Sequence, residues 1–372
     1  MLAILKAGGM DVLDHLKEEL YHPDVLIDLK RIRSEGKPDP VSREGNTIRI
    51  EAWATLAQIA ASPLIREKAP VVAQAVEKAA TPQVRNVATA AGNLLQRPRC
   101  WYYRNDQFNC LKKGGATCYA VEGENKFHAI FGGGPCHIVH PSNLAPALMV
   151  CEATVHLVGG SRKSLPIEEL FHLPDGGNVP DLSSRRRTPG ATREQTEQEI
   201  QELQKRIVDL TKQIDQHQRE VGDVATNSST GRADKGVKSE HNLEPGEVIT
   251  HITLKDSPMS GFYGIKEKQS FDWPLVFACV SLRGASKGGA IDSARVCAGA
   301  VAPVPWPLMK VEQQLAGKSM TDAAALQQAA AAAGDGASPM TDNQYKVRLL
   351  SVAVRRALLK AAGLNSEVPN EL

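Results

Sequence analysis

The sequence predicts an α+β protein of more than one domain, and three observations carry that expectation. The first 30 residues run strand, glycine turn, helix, strand. From Asn242 the chain runs strands and then helices, an order typical of a separate α+β domain. Between these regions the composition breaks near Pro174, where residues 174–193 become rich in Pro, Gly, Ser and Arg. A chain of 372 residues can bury two or three separate cores.

Each element has a local reason. Leu2 to Lys6 is a short apolar strand and Ala7-Gly8-Gly9 its turn. Asp11 to Leu20 has helical spacing through Val12, Leu13, Leu16 and Leu20. Pro23 opens a buried strand over Val25 to Leu29. A strand is predicted at 47–50 and helices at 53–60 and 64–79, the second ending at the Thr81-Pro82 break. A glycine turn at 89–93 leads into a cysteine-rich loop. Ser142 to Met149 reads as helix and Ala153 to Leu157 as strand. Residues 194–221 place Ile200, Leu203, Ile207, Leu210, Ile214 and Val221 on heptad a and d positions, with His217 breaking one. That pattern predicts a coiled-coil-like helix, and the whole of 174–242 looks like an insertion. Strands follow at His251 to Leu254, Leu275 to Leu282 and Ala294 to Val301, then a proline-rich turn at Pro303, Pro305 and Pro307. Alanine-rich helices at 321–333 and 343–362 close the chain.

With 44 basic against 42 acidic residues, charge gives no argument for nucleic acid or an anionic membrane surface. No apolar run approaches the roughly 20 residues of a spanning helix. The opening apolar patch meets Asp11 and Asp14 too soon for an export signal, so a soluble chain is expected.

Two glycine turns form the first candidate site. Ala7-Gly8-Gly9-Met10-Asp11 lies between strand and helix, where backbone N–H groups point outward and a phosphate can come close. Thr89-Ala90-Ala91-Gly92-Asn93 offers a second turn with hydroxyl and amide side chains. No GxGxxG fingerprint is present, and two such turns would suit a pyrophosphate gripped from two loops.

Four cysteines form the second. Cys100, Cys110, Cys118 and Cys136 fall within 37 residues at spacing C-x9-C-x7-C-x17-C. That is neither the paired CxxC of a zinc site nor a ferredoxin run. Two disulfides or four unrelated thiols are the plainer readings. Gly114, Gly115, Gly123 and Gly132 to Gly134 would let the loop wrap a compact object, and thiolates suit a soft metal centre, zinc or iron–sulfur. Cys151, Cys279 and Cys297 lie in apolar runs and read as small buried hydrophobes.

The segments AGGMDVLDHLKEEL, ATAAGNLLQRPRCWYYR, GENKFHAIFGGGPCHIVHPSNLAPAL, LEPGEVIT, SFDWPLVFACVSL, AGAVAPVPWP and NQYKVRLLSVAVRRALL occur in that order. Together they resemble the FAD-binding subunit of the xanthine dehydrogenase (molybdenum hydroxylase) family. More narrowly they resemble its aldehyde oxidoreductase and 4-hydroxybenzoyl-CoA reductase type, whose flavoprotein carries an additional [4Fe-4S] cluster. The resemblance spans the chain except residues 174–242. It implies an FAD-binding domain of the vanillyl-alcohol-oxidase type over residues 1–255, with the cysteine loop at 97–138. A smaller α+β domain of the CO dehydrogenase flavoprotein C-terminal type is implied over 256–372.

Carried over by residue, the resemblance places Ala7, Gly8, Gly9, Met10, Asp11 and Val12 in the first pyrophosphate loop, and Thr89, Gly92 and Asn93 in the second. His140, Ser142 and Asn143 match a segment lining the FAD site, and Lys266 and Asp272 a motif closing over the flavin. Cys100, Cys110, Cys118 and Cys136 match the cluster loop. Met10 replaces the usual Thr, Ala91 a Gly, Asn143 an Asp, Gly264 a Lys and Lys266 an Arg. The family also implies a further strand–helix unit ahead of the first turn, so a missing N-terminal segment is expected.

Such a subunit does no chemistry on the organic substrate. The resemblance implies a molybdopterin-binding large subunit and a [2Fe-2S] small subunit as partners, with FAD passing electrons to an external acceptor. A cytoplasmic location is implied, or a periplasmic one if an exported partner carries the chain. Two rival readings remain at this stage: a non-catalytic FAD-fold scaffold working through its coiled-coil insertion, and a zinc-stabilised flavoprotein without a redox cluster.

Overall fold

The computed structural model describes residues 3–29, 39–180, 239–268, 271–284 and 288–365. The heptad helix expected at 194–221 lies outside the described residues.

The chain opens with β1 (Ala3–Lys6), α1 (Val12–Lys17) and β2 (Val25–Asp28). The two strands pair in parallel, Ala3 beside Val25 and Lys6 beside Asp28. α1 stops short of the expected Leu20, because Glu19 turns to φ 55° and the Leu20 N–H bonds back to the His15 carbonyl.

Next come β3 (Val41–Glu44), β4 (Thr47–Glu51), α2 (Leu56–Ala61), α3 (Pro63–Lys68), α4 (Pro70–Glu77), α5 (Pro82–Arg85), α6 (Ala90–Leu94) and α7 (Trp101–Arg104). Two helices were expected over 53–79, and three form. Thr55 and Gln58 build a capping box on α2, and Ser62 caps α3. Pro63 and Pro70 each stand at a first helical position, where the missing N–H costs nothing; mid-helix it would break the ladder.

After α8 (Leu144–Val150), β5 (Thr154–Val158) and β6 (Ser164–Pro166), the chain resumes with β7 (Val248–Lys255). One antiparallel sheet then runs β3-β4-β7-β5-β6. Alternation sets its faces: Ile48, Ile50, Ile252, Leu254 and Val155 are buried, while Arg49 and Thr253 point the other way.

The last portion holds β8 (Ser260–Lys266), β9 (Pro274–Arg283), β10 (Ser293–Gly299), β11 (Trp306–Pro307), α9 (Met309–Leu315), α10 (Ala323–Ala331) and α11 (Tyr345–Ala361). Its sheet runs β11-β10-β9-β8. Val276, Ala278 and Val280 pack with Leu350, Val354 and Leu358 of α11 in one core. β8 escaped the sequence reading because two glycines thin its apolar pattern. Gly261 is needed there: a Cβ would stand 2.7 Å from the Ala357 carbonyl oxygen of α11.

α4 packs beside β8. The Val71 N–H bonds to Ser260 Oγ at 3.2 Å, and the Phe262 N–H to Gln74 Oε1 at 3.0 Å. The ends of the expected 174–242 insertion belong to this body. Val179 is buried, His172 bridges Asn178 and Phe171 bridges His241.

Candidate functional site

The first turn leaves β1 with Gly9 at φ +84° and presses on the chain ahead of the second turn. A Cβ on Gly8 would lie 2.3 Å from the Val87 carbonyl oxygen, so only glycine permits that approach. In the second turn, Thr89 Oγ1 accepts from the Gly92 N–H at 3.2 Å and caps α6. Backbone bonds from Ala90 to Ala54 and from Ala91 to Ala52 fasten that turn to the chain after β4.

Both turns line one cavity of about 1170 Å³. Eleven of the expected residues reach it: Ala7 to Val12, Thr89, Gly92, Asn93, Asn143 and Asp272. Three do not. Ser142 lies behind the second turn, donating from its hydroxyl to Asn93 Oδ1 at 2.6 Å and accepting from the Ala145 N–H at 2.9 Å. It therefore positions Asn93 and starts α8. His140 is buried against Phe171, and burial holds its imidazole down at about 4. Lys266 donates to the Lys78 carbonyl at 2.7 Å.

Asp11 has a different task from the one the turn suggests. Its carboxylate accepts from the Arg97 N–H at 2.8 Å and from Arg104 Nη2 at 2.8 Å, and pairs with Arg99 at 3.0 Å. It anchors α1 to the segment 97–104, and an anion so placed repels phosphate.

Sequence reading passed over several residues at the cavity. Tyr21, Trp53, Arg97, Arg99, Phe271 and Trp273 all line it. Arg99 stacks its guanidinium over the Trp273 ring at 5.0 Å. Asp272 fixes the turn before β9 by accepting from the Trp273 and Lys268 N–H groups at 2.9 and 3.1 Å. The arginines were visible in the run QRPRC, but only the fold aims them at the turns.

Cys100, Cys110, Cys118 and Cys136 converge on a second, small cavity of about 10 Å³, roughly the space of one water. Cys110 and Cys136 are buried and the other two partly so. Cys118 and Cys136 share a hydrogen bond that pulls the Cys118 thiol down and pushes Cys136 up. Burial raises Cys100 to about 11, and His128 Nε2 lies 3.3 Å from its sulfur. Among the described residues, no three His, Cys, Asp or Glu stand at metal-binding separation. The thiols are gathered in a closed arrangement. Cys151, Cys279 and Cys297 are buried, as expected.

Comparison with known proteins follows the same division. Residues 3–182 match the model of the FAD binding domain in molybdopterin dehydrogenase, and residues 262–361 that of the CO dehydrogenase flavoprotein C-terminal domain. The chain belongs to the FAD-binding subunits of the molybdenum hydroxylase family.

The aldehyde oxidoreductase FAD-binding subunit of Escherichia coli (strain K12) is 26% identical over 366 residues, covering 95% of this chain and 90% of that one. The nicotinate dehydrogenase FAD-subunit of Eubacterium barkeri is 35% identical over 88 residues, covering 24% and 29% of the two chains. Among solved structures, carbon monoxide dehydrogenase from Hydrogenophaga pseudoflava matches with a TM-score of 0.59 at 21% identity, over 97% of this chain and 89% of that one. Quinoline 2-oxidoreductase from Pseudomonas putida 86 matches with a TM-score of 0.59 at 18% identity, over 97% and 90%. These likenesses carry the expected fold: an FAD-binding domain followed by the CO dehydrogenase flavoprotein C-terminal domain. Membership in this flavoprotein family also disfavours the scaffold reading. Among the described residues, no helix is long and apolar enough to cross a membrane.

Proposed function

We propose that this molybdenum hydroxylase subunit holds FAD in the larger cavity and relays electrons through it. The observation that carries the reading is the convergence of both glycine turns on one cavity. In this assignment the N–H groups of Ala7 to Val12, with the Thr89 hydroxyl and the Asn93 amide, hold the pyrophosphate, and Asn143 and Asp272 line the same cavity. Ser142 serves by fixing Asn93, and Asp11 by fixing the first turn. His140 and Lys266 serve as structural neighbours. Bound flavin supplies conversion between one- and two-electron couriers. The domain boundary falls after residue 255.

The partners are a molybdopterin-binding large subunit and a [2Fe-2S] small subunit, with an external acceptor taking the electrons. We assign a [4Fe-4S] cluster to Cys100, Cys110, Cys118 and Cys136. Support comes from four thiols facing one cavity on a glycine-rich loop, with Lys112 lining the same space as a nearby cation. Binding would replace the Cys118–Cys136 hydrogen bond and open the loop around the metal.

Purification of the assembled complex without oxygen tests both assignments. One FAD per chain, and about four irons that disappear in Cys110→Ser, are the expected results. A colourless complex ends the flavin assignment. Zinc at the cysteines, or no metal in protein never exposed to air, ends the cluster assignment.

A further inference from the structure

The two cavities share a wall, and the wall is charged. Arg97 lines the larger cavity, and Lys112 lines the smaller one. Between them stands Glu240, 4% exposed, with one oxygen 2.8 Å from Arg97 Nε and the other accepting from Arg97 Nη2 at 3.1 Å and from Lys112 Nζ. Tyr103 completes the wall. Its ring lies under the Arg97 guanidinium at 5.0 Å and borders the small cavity. Its hydroxyl meets that of Tyr21, which borders the large one, at 3.2 Å.

One carboxylate ties a cation beside each cavity into a single buried network, whose energy depends on the negative charge beside it. Both cavities are suited to carry such charge: one would hold phosphates and a flavin that becomes more negative on reduction, the other four thiols. Charges across a desolvated wall interact far more strongly than they would in water. A charge on the small-cavity side therefore acts on the large cavity without touching it.

We propose that Arg97, Glu240 and Lys112 form an electrostatic coupler, through which charge at the cysteine cavity sets the reduction potential of the flavin. The proposal rests on the placement of FAD in the larger cavity. None of the three residues contributes electrons; they stabilise or destabilise negative charge gained by the flavin from an external reductant.

The test is a spectroelectrochemical titration of the flavin in the assembled complex, with the electrode as reductant and mediator dyes carrying the electrons. Glu240→Gln removes one negative charge from the wall and should raise the flavin potential. Lys112→Met removes one positive charge and should lower it, although Lys112 does not line the flavin cavity. The double variant restores the original net charge and should return the potential towards the original value, as should Lys112→Arg. Single variants that keep flavin at an unchanged potential, or shift it in the same direction, overturn the coupler. If the single variants lose flavin, the double variant decides: flavin retained at the original potential supports charge balance, and flavin lost there too leaves only a structural wall and overturns the proposal. Absence of FAD from the unaltered complex would instead refute the flavin placement.

Discussion

Gly8 and Asp11 occupy the same turn and fail in different ways when replaced. A side chain at Gly8 meets the Val87 carbonyl oxygen at 2.3 Å, with backbone on both sides and nothing free to swing away. Gly8→Val should therefore force the two turns apart and lower flavin content several-fold. Gly92→Ala should cost far less, because its Cβ meets only Thr89 Oγ1, at 2.9 Å. The ratio of flavin to protein absorbance measures both, and equal occupancy in the two variants would defeat the idea that close approach of the turns makes the site. Asp11→Asn keeps the shape but leaves Arg99 and Arg104 short of a counter-charge. Asp11 is partly exposed, so a loss of about 1–3 kcal/mol in urea unfolding is expected, below the range for a fully buried pair. The glycines were legible in the sequence because backbone demands act locally. Arg97 was not, because its carboxylate partner Glu240 is 143 residues away.

At the scale of elements, the cysteine loop is held from the far end of the chain. Lys346 on α11 donates to the carbonyls of Phe127, His128 and Ala300 at 3.0, 3.0 and 2.9 Å, while Asn343 binds those of His128 and Ala129. Burial lowers the Lys346 ammonium to about 7, so the cost of burying its charge, present below 7, is relieved as pH rises towards 10.5. Lys346→Met removes three donors at once. An unsatisfied buried carbonyl costs about 1–3 kcal/mol, so the thermal midpoint should fall clearly, with the cysteines becoming more open to alkylation. An unchanged alkylation rate would mean that the loop holds itself. The insertion can be cut at two places with opposite results. Deleting 181–238 spares Glu240 and should preserve flavin, whereas deleting 178–240 removes the carboxylate that Arg97 and Lys112 share and should lose it. Full flavin in both deletions would show Glu240 to be dispensable. Local pattern read most helices and central strands correctly. It ran two helices together where Pro70 starts a third, and it missed β8, whose Gly261 admits α11. The thiols were legible as a group from spacing alone; the wall behind them was not, since it assembles from four distant segments.

Across the whole molecule, pH dependence follows from groups buried in one charge state. Burial holds His140 and His241 at about 4, against 6.5 for the unfolded chain. Above pH 6.5 both forms are neutral. As pH falls from 6.5 to 4, only the unfolded chain takes up protons, so stability declines by up to about 3 kcal/mol per histidine. Glu240 opens a second window. Burial opposes its charge, but Arg97 and Lys112 overcome that and hold it at about 2, so its contribution is present above 4.5 and lost as pH falls towards 2. Urea midpoints measured from pH 7 to 3 should fall through both windows, and a flat profile between 6.5 and 4 would contradict the burial of these imidazoles. The opening β1–α1–β2 unit stands apart energetically. Leu5, Val25, Leu26 and Ile27 are each 38–44% exposed, so its attachment depends on the polar network at Asp11 and the contact at Gly8 rather than on a core of its own. Such a segment opens before the rest of the molecule does. Its backbone amides should exchange with deuterium fastest in protein stripped of flavin and slow when FAD spans the two turns. Protease resistance at this end of the chain then becomes a gauge of how much of a preparation carries its cofactor.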